Sequence, residues 1–229
     1  MSELIEDKTL RNRTGVFADR REAGRLLARK LERYRDSDLL VLAIPSGGVP
    51  VGSEISRELD LDLDLLIVRK VQIPWDTEAG FGAVNMDGDF LVNEGLLMSL
   101  HLSEEEVEEQ VAKTRATIAR RDEKFRAGRP FPEVSGRPVM LVDDGLASGY
   151  TMRVAIAFLK KRNPSAIIVA VPTGCGATVR ELLPEVDTLC CLNIRDSYPF
   201  AVASAYRRWR DLTDRDVLDL LRPGRQHEE

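Results

Sequence analysis

Two adjacent carboxylates, Asp143 and Asp144, stand directly after the apolar run Val139-Met-Leu-Val142 and directly before a loop of small residues, Gly145-Leu-Ala-Ser-Gly149. Each part has a chemical use. An apolar run of this length reads as a buried parallel strand, so the acids emerge at its carboxyl end, where open α/β sheets bind ligands. Gly145 and Gly149 let the backbone turn tightly and leave amides uncovered, and Ser148 and Thr151 add hydroxyl donors. Tyr150 and Thr151 open a helical pattern whose N-terminus completes a phosphate cradle. Carboxylates beside a phosphate cradle suit a ligand that carries both sugar hydroxyls and phosphates. An ATP-binding P-loop is excluded, because Gly145 to Thr151 has no Lys between its last Gly and the hydroxyl residue. An acidic phosphoacceptor pocket would have no use for the Gly/Ser/Thr loop.

These residues need a scaffold, and the surrounding pattern supplies one. Apolar strands are expected at Leu39 to Ile44, Leu63 to Val68, Val139 to Val142, Ala166 to Val171 and Thr188 to Leu192. Helical patterns alternate with them: a helix capped by Asp19 with Ala23, Leu26, Leu27 and Leu31 on one face, then Val51 to Leu59, Tyr150 to Lys161 and Ala177 to Leu183. Such alternation predicts a parallel twisted sheet covered by helices on both faces, with the first two strands joined by a right-handed crossover. Between Gln72 and Pro138 the rhythm breaks. A hairpin around Asp87-Gly88 is expected, then a helix from the capping box Ser103-Glu-Glu-Glu106 to about Arg126, with Gly128 as its stop. The simplest organisation is one domain, with a core at about 38–71 and 139–195, an excursion at about 72–138, and an aromatic tail and helix at 196–224 capped near Thr213.

Val139 to Met152 resembles the phosphoribosyl-pyrophosphate signature of the type I phosphoribosyltransferases: apolar strand, two acids, small-residue loop, Thr. The resemblance covers most of Leu39 to Leu192 and is most specific in that signature. It implies that Asp143 and Asp144 bind ribose hydroxyls and, directly or through water, Mg²⁺. It also implies that Ala147, Ser148, Gly149, Tyr150 and Thr151 wrap the terminal phosphate, with Gly145 in the same loop. Pro45-Ser46-Gly47-Gly48 resembles the family's pyrophosphate loop, with a non-proline cis peptide expected between Ser46 and Gly47. Lys70, with Arg69 beside it, resembles a basic corner facing the leaving pyrophosphate, and Thr173 and Gly174 match positions beside the nucleobase. Gln72 to Asn93 is then a candidate cover, in which Trp75 and Phe81 either shield the site or pack the hairpin.

Pro45 to Pro50, Val68 to Lys70, Trp75-Asp-Thr-Glu78, Phe81-Gly-Ala-Val84 and the aromatic tail look most like a poorly characterised branch of predicted phosphoribosyltransferases. They do not look like the adenine, hypoxanthine or orotate enzymes. The activity implied is Mg²⁺-dependent transfer of ribose 5-phosphate from phosphoribosyl pyrophosphate to a nitrogen acceptor, a nucleobase or related base, with release of pyrophosphate. A non-catalytic regulator binding that donor or a nucleotide would carry the same residues.

Composition narrows the field further. The 229 residues are 43% hydrophobic and 31% charged, with a net charge of −5 and no basic tail, so bulk electrostatics give no support to nucleic-acid binding. Apolar runs such as Leu39 to Ile44 are too short to span a bilayer, and the acidic start lacks a signal-peptide core. The expectation is a cytoplasmic protein without a membrane partner, with a homodimer as the assembly to test. Cys175, Cys190 and Cys191 make no disulfide framework, Cys190 and Cys191 should point to opposite faces of their strand, and His101 and His227 build no zinc site.

Overall fold

Strands form where β-branched and aliphatic residues run together, and helices where caps and a 3.6-residue apolar period coincide. The structure, a computed structural model, describes residues 2–221, with Thr77 and Glu78 described by their backbone alone; the expected end of the last helix at 224, and His227, lie outside the described residues. In chain order the elements begin with β1 (Glu3–Ile5), α1 (Arg20–Lys30), β2 (Leu40–Ala43), α2 (Gly48–Leu59) and β3 (Asp62–Leu65). The chain continues through β4 (Arg69–Ile73), β5 (Asp76–Val84), β6 (Phe90–Val92), α3 (Glu94–Leu100) and α4 (Glu104–Arg126). It closes with β7 (Pro138–Val142), α5 (Tyr150–Lys160), β8 (Ala166–Cys175), α6 (Gly176–Leu182), β9 (Thr188–Arg195) and α7 (Asp214–Leu221).

These elements form two compact units. The larger unit takes the chain through Leu66, then Pro132–Ser148, then everything from Asn163. Its sheet has the order β1-β9-β8-β7-β2-β3, and all five pairings are parallel. One face of that sheet, with Val41, Met140, Val142, Ile168, Ala170, Cys190 and Leu192, packs with Ala23, Leu27 and Leu31 from the α1 region and Val51, Ile55 and Leu59 of α2. On the other face α6 packs on β8 and β9, with Val179 close to Gly174 and Cys191. The adjacent cysteines therefore do face opposite ways. Burial holds the Cys190 thiol up at about 12 and Cys191 well above its ordinary value.

The sheet reverses direction between β2 and β7. From β2 the chain steps to β3 on one side, whereas β7, β8 and β9 build outward on the other. Loops after the two strands flanking such a reversal diverge and leave a crevice at the carboxyl edge. Those loops are Pro45–Gly47 and Asp143–Ser148.

The smaller unit holds Ile67–Phe131 and Gly149–Arg162. Its antiparallel sheet, β4-β5-β6, sets Lys70 opposite Ala83 and Gly82 opposite Val92. The hairpin forms around Asp87-Gly88 as expected: Gly88 takes φ 82°, and the Asn85 carboxamide oxygen accepts from the amides of Asp87 and Asp89, each at 3.0 Å. Helix α5 belongs to this unit, and the turn directly after it grips the hairpin, Lys161 pairing with Asp89 at 2.7 Å and Arg162 with Asp87 at 2.8 Å. Helix α4 begins in the expected capping box, Ser103 with Glu106, but Ala127, not Gly128, takes the left-handed cap. Arg69 and Lys70 open strand β4; they do not form a loop corner after the previous strand. Phe81 is fully buried and meets Phe90 edge-on at 6.1 Å, so it packs its own sheet; Trp75 is largely exposed.

Thiol titration checks the burial pattern, since a thiol must ionise and be reached in order to react. In the native state no more than one thiol, Cys175, should react promptly, and all three should react after unfolding. Prompt reaction of two or three thiols in folded protein would contradict the packing described.

Candidate active site

The carboxyl edge of β7 places Asp143 and Asp144 where the sequence expects them, within hydrogen-bonding reach of each other. The Asp144 amide donates to Asp143 Oδ1 at 2.8 Å. Burial raises both carboxyl groups above the ordinary range; the neighbouring carboxylate pushes Asp143 higher still, while the Arg20 guanidinium pulls Asp144 back. Arg20 Nε lies 2.7 Å from Asp144 Oδ2, with both side chains mostly buried.

The loop after β2 comes up against this pair. A Cβ on Gly47 would fall inside the Asp144 carboxylate, and one on Gly48 would run into the Val142 carbonyl oxygen. Glycine is required at both positions by this close approach and not by a left-handed backbone, since Gly47 has φ −63°. Gly47 caps α2, so the start of that helix and its positive dipole end sit beside the acids. The non-proline cis peptide is present, but it joins Pro45 to Ser46, one residue before the expected Ser46–Gly47 bond.

After the acids the chain is pinned at three points. Leu146 N donates to Thr173 O at 2.9 Å, Cys175 N donates to Leu146 O at 2.8 Å, and Thr178 Oγ1 donates to Ala147 O at 2.6 Å. Gly145 is packed against Val202 and Thr173, whereas Ala147 and Ser148 are exposed. Gly149, at φ 81°, caps α5, and Tyr150 and Thr151 are the first helical residues. A left-handed residue leading into an open helix N-terminus is the local geometry that backbone anion binding uses.

Two other expected groups are placed differently. Thr173 and Gly174 lie in the extension of β8, paired with Asn193 and Ile194 of β9, and are not in a loop. The Thr173 hydroxyl is fully buried and donates to the Asn193 side chain at 2.7 Å. Arg69 and Lys70 lie in the smaller unit at the start of β4, Arg69 half-buried and Lys70 exposed.

Sequence reasoning missed Arg20, Tyr206 and Trp209. Residues 15–18 pair backbone to backbone with 204–208, as in Phe17 N to Ala205 O at 3.0 Å and Arg208 N to Ala18 O at 2.9 Å. This zipper sets the start of α1, where Asp19 caps the Glu22 amide at 3.0 Å and leaves Arg20 as the first helical residue. The Arg20 guanidinium stacks 3.7 Å from the Trp209 ring centroid and donates to Arg210 O at 2.9 Å. Tyr206 donates its hydroxyl to the Asp144 carbonyl at 2.5 Å, and burial, then the nearby Asp144 carboxylate, keep that phenol protonated well above its usual range. The only signal in the sequence was the cluster of aromatic residues among arginines near the C-terminus.

Gly47→Ala should cost about 1–3 kcal/mol, because the added methyl must displace the Asp144 carboxylate or the backbone that carries it. Tyr206→Phe should cost about 1 kcal/mol by leaving the Asp144 carbonyl without its donor. Urea unfolding measures both, and a neutral Gly47→Ala would contradict the close approach.

Residues 18–202 match the phosphoribosyl transferase domain. A protein of Mycobacterium tuberculosis assigned as a phosphoribosyl transferase, found in two strains, is 34% identical over 206 residues. That match takes in 90% of this chain and 46% of the relative, so the chain spans about half the length of the curated relatives it matches. The crystal structure of TT1426 from Thermus thermophilus is 34% identical with a TM-score of 0.70, covering 90% of this chain and 97% of that one. The fold, the signature at Asp143 and these matches agree: the chain belongs to the phosphoribosyl transferase domain family.

Proposed function

We propose that this chain transfers ribose 5-phosphate from phosphoribosyl pyrophosphate to a nitrogen acceptor, a nucleobase or related base, and releases pyrophosphate. The observation that carries the reading is the acid pair at the end of β7, followed by a pinned loop that leads into the bare N-terminus of α5. Carboxylates accept hydroxyl hydrogen bonds more strongly than neutral acceptors do, so Asp143 and Asp144 hold the ribose diol. Amides from Ala147 to Thr151, with the Ser148 and Thr151 hydroxyls, take the terminal phosphate. Gly47 and Gly48, at the start of α2, face the pyrophosphate, and Ser46 stands beside them.

Departure of pyrophosphate leaves an oxocarbenium-like sugar, and the protein's task is to hold donor and acceptor in line and to favour charge growing on the leaving group. No protein nucleophile is needed. The residues present fit Mg²⁺ as a donor-borne ion. Mg²⁺ takes oxygen ligands, and one or two carboxylates with waters and substrate phosphates suffice, which the adjacent carboxyl groups of Asp143 and Asp144 can offer. Asp143 and Asp144 are the side chains that would meet it, and when bound it supplies positive charge to the pyrophosphate oxygens. The roles of Lys70 and Arg69 toward pyrophosphate, and of Thr173 and Gly174 toward the base, rest on the sequence resemblance. Thr173 is fully buried, its hydroxyl bonded to Asn193 and its carbonyl to the Leu146 amide, so nothing in its own contacts adds to that resemblance.

Pyrophosphate release is the test, with donor, Mg²⁺ and a panel of free bases and small amines. At least one acceptor should give turnover that chelation of Mg²⁺ abolishes; donor binding with no turnover on any acceptor would favour the regulator. Lys70→Ala should lower kcat about tenfold or more with little change in donor affinity if it meets charge that grows in the transition state. Gly149→Val, at a left-handed position beside the phosphate, should chiefly weaken donor binding. Equal losses of affinity with unchanged kcat in both variants would refute this division.

A further inference from the structure

The acid pair has a protein partner that sugar binding by itself does not require. Arg20 grips Oδ2 of Asp144 at 2.7 Å, and its own position is fixed on three sides: by the capped start of α1, by the Trp209 ring at 3.7 Å and by the Arg210 carbonyl at 2.9 Å. A guanidinium seated over an indole at this distance, and hydrogen-bonded on two sides, has little freedom to turn its planar fork. It also offsets the repulsion that two carboxylates within hydrogen-bonding reach exert on each other. Most arginine–carboxylate pairs on a protein surface do neither, because both side chains stay mobile and solvated.

We propose that Arg20 is the positioning residue of Asp144: stacked on Trp209, it holds that carboxylate in the orientation that accepts the sugar diol. The segment Tyr206–Arg210 thereby governs sugar recognition without touching the sugar. Two of its contacts converge on Asp144, one through Arg20 to the carboxylate and one from the Tyr206 hydroxyl to the carbonyl. This inference rests on the proposed function, in that it takes Asp143 and Asp144 to be the ribose-binding acids.

Calorimetry with ribose 5-phosphate, 2-deoxyribose 5-phosphate and inorganic phosphate separates the two claims. Ribose 5-phosphate and its deoxy analogue share the phosphate and differ in one of the hydroxyls assigned to the acids. Wild-type protein should prefer ribose 5-phosphate by about tenfold or more, the scale of a hydrogen bond to a charged group. Absence of that preference in wild type would defeat the sugar-phosphate reading itself. Given the preference, Arg20→Gln should reduce it to about threefold or less while phosphate affinity stays unchanged, and Arg20→Lys, which keeps the charge without the fork, should fall between.

An unchanged preference in folded Arg20→Gln overturns the positioning role. So does a parallel loss of affinity for all three ligands, which is what general loosening would produce. Should Arg20→Gln fail to fold, Trp209→Phe is judged the same way, because a smaller ring supports less of the guanidinium. A preference at least about threefold weaker with phosphate affinity intact supports the role, and an unchanged preference overturns it.

Discussion

Two carboxylates at consecutive positions of one strand end repel each other, and much of the larger unit is arranged around that constraint. Buried acids do not stay charged and adjacent unless cations or donors offset the cost. Here the offsets come from distant parts of the chain. Arg20 arrives from the first helix to pair with the Asp144 carboxylate, while Tyr206, from the C-terminal segment, ties down the Asp144 backbone carbonyl. The close approach of the loop after β2, which places the start of α2 beside the acids, is open only to glycine at positions 47 and 48. The topology makes this meeting possible, since β2 and β7 are neighbours at the point where the strand order reverses.

The same constraint links fold to chemistry. A carboxylate held by a fixed guanidinium is preorganised, and preorganisation is what a site needs if it is to bind a flexible sugar without first rearranging. The loop that follows shows the same economy. Its backbone is tied to β8 and α6 at Leu146 and Ala147, so the exposed residues Ala147 and Ser148 are presented from a fixed base. At Gly145 the reason for glycine is packing against Val202 and Thr173, not a ligand. At Gly149 the reason is the left-handed cap.

Much of the framework was legible in the sequence because its signals are local. The apolar runs at 40–43, 139–142 and 166–171 gave strands, Asp19, Ser103 and Thr213 gave caps, and Asp87-Gly88 gave the hairpin. The misses have separate causes. Strands β8 and β9 run beyond their apolar stretches through Thr173, Asn193 and Arg195, buried polar residues of which Thr173 and Asn193 bond each other and Arg195 bonds the Ala201 carbonyl through Nη1. Strand β4 did carry an alternating signal, with Val71 and Ile73 buried, but its two basic residues drew the reading toward a loop. Strand β1 is a three-residue edge with no signal of its own. Arg20 and the aromatic segment meet across some 190 residues of chain, and nothing in local spacing announces such a pairing.

The most direct measurement of the central claim is calorimetric titration of phosphoribosyl pyrophosphate with Mg²⁺ into wild-type protein and into Asp143→Asn with Asp144→Asn. The acids stand at a strand end, outside the hydrophobic core, so the double variant should remain folded. The account predicts clear binding to wild type and a loss of affinity of about a hundredfold or more in the variant, since two charge-assisted hydrogen bonds are weakened at once. Equal affinity for the donor in the two folded proteins would contradict it.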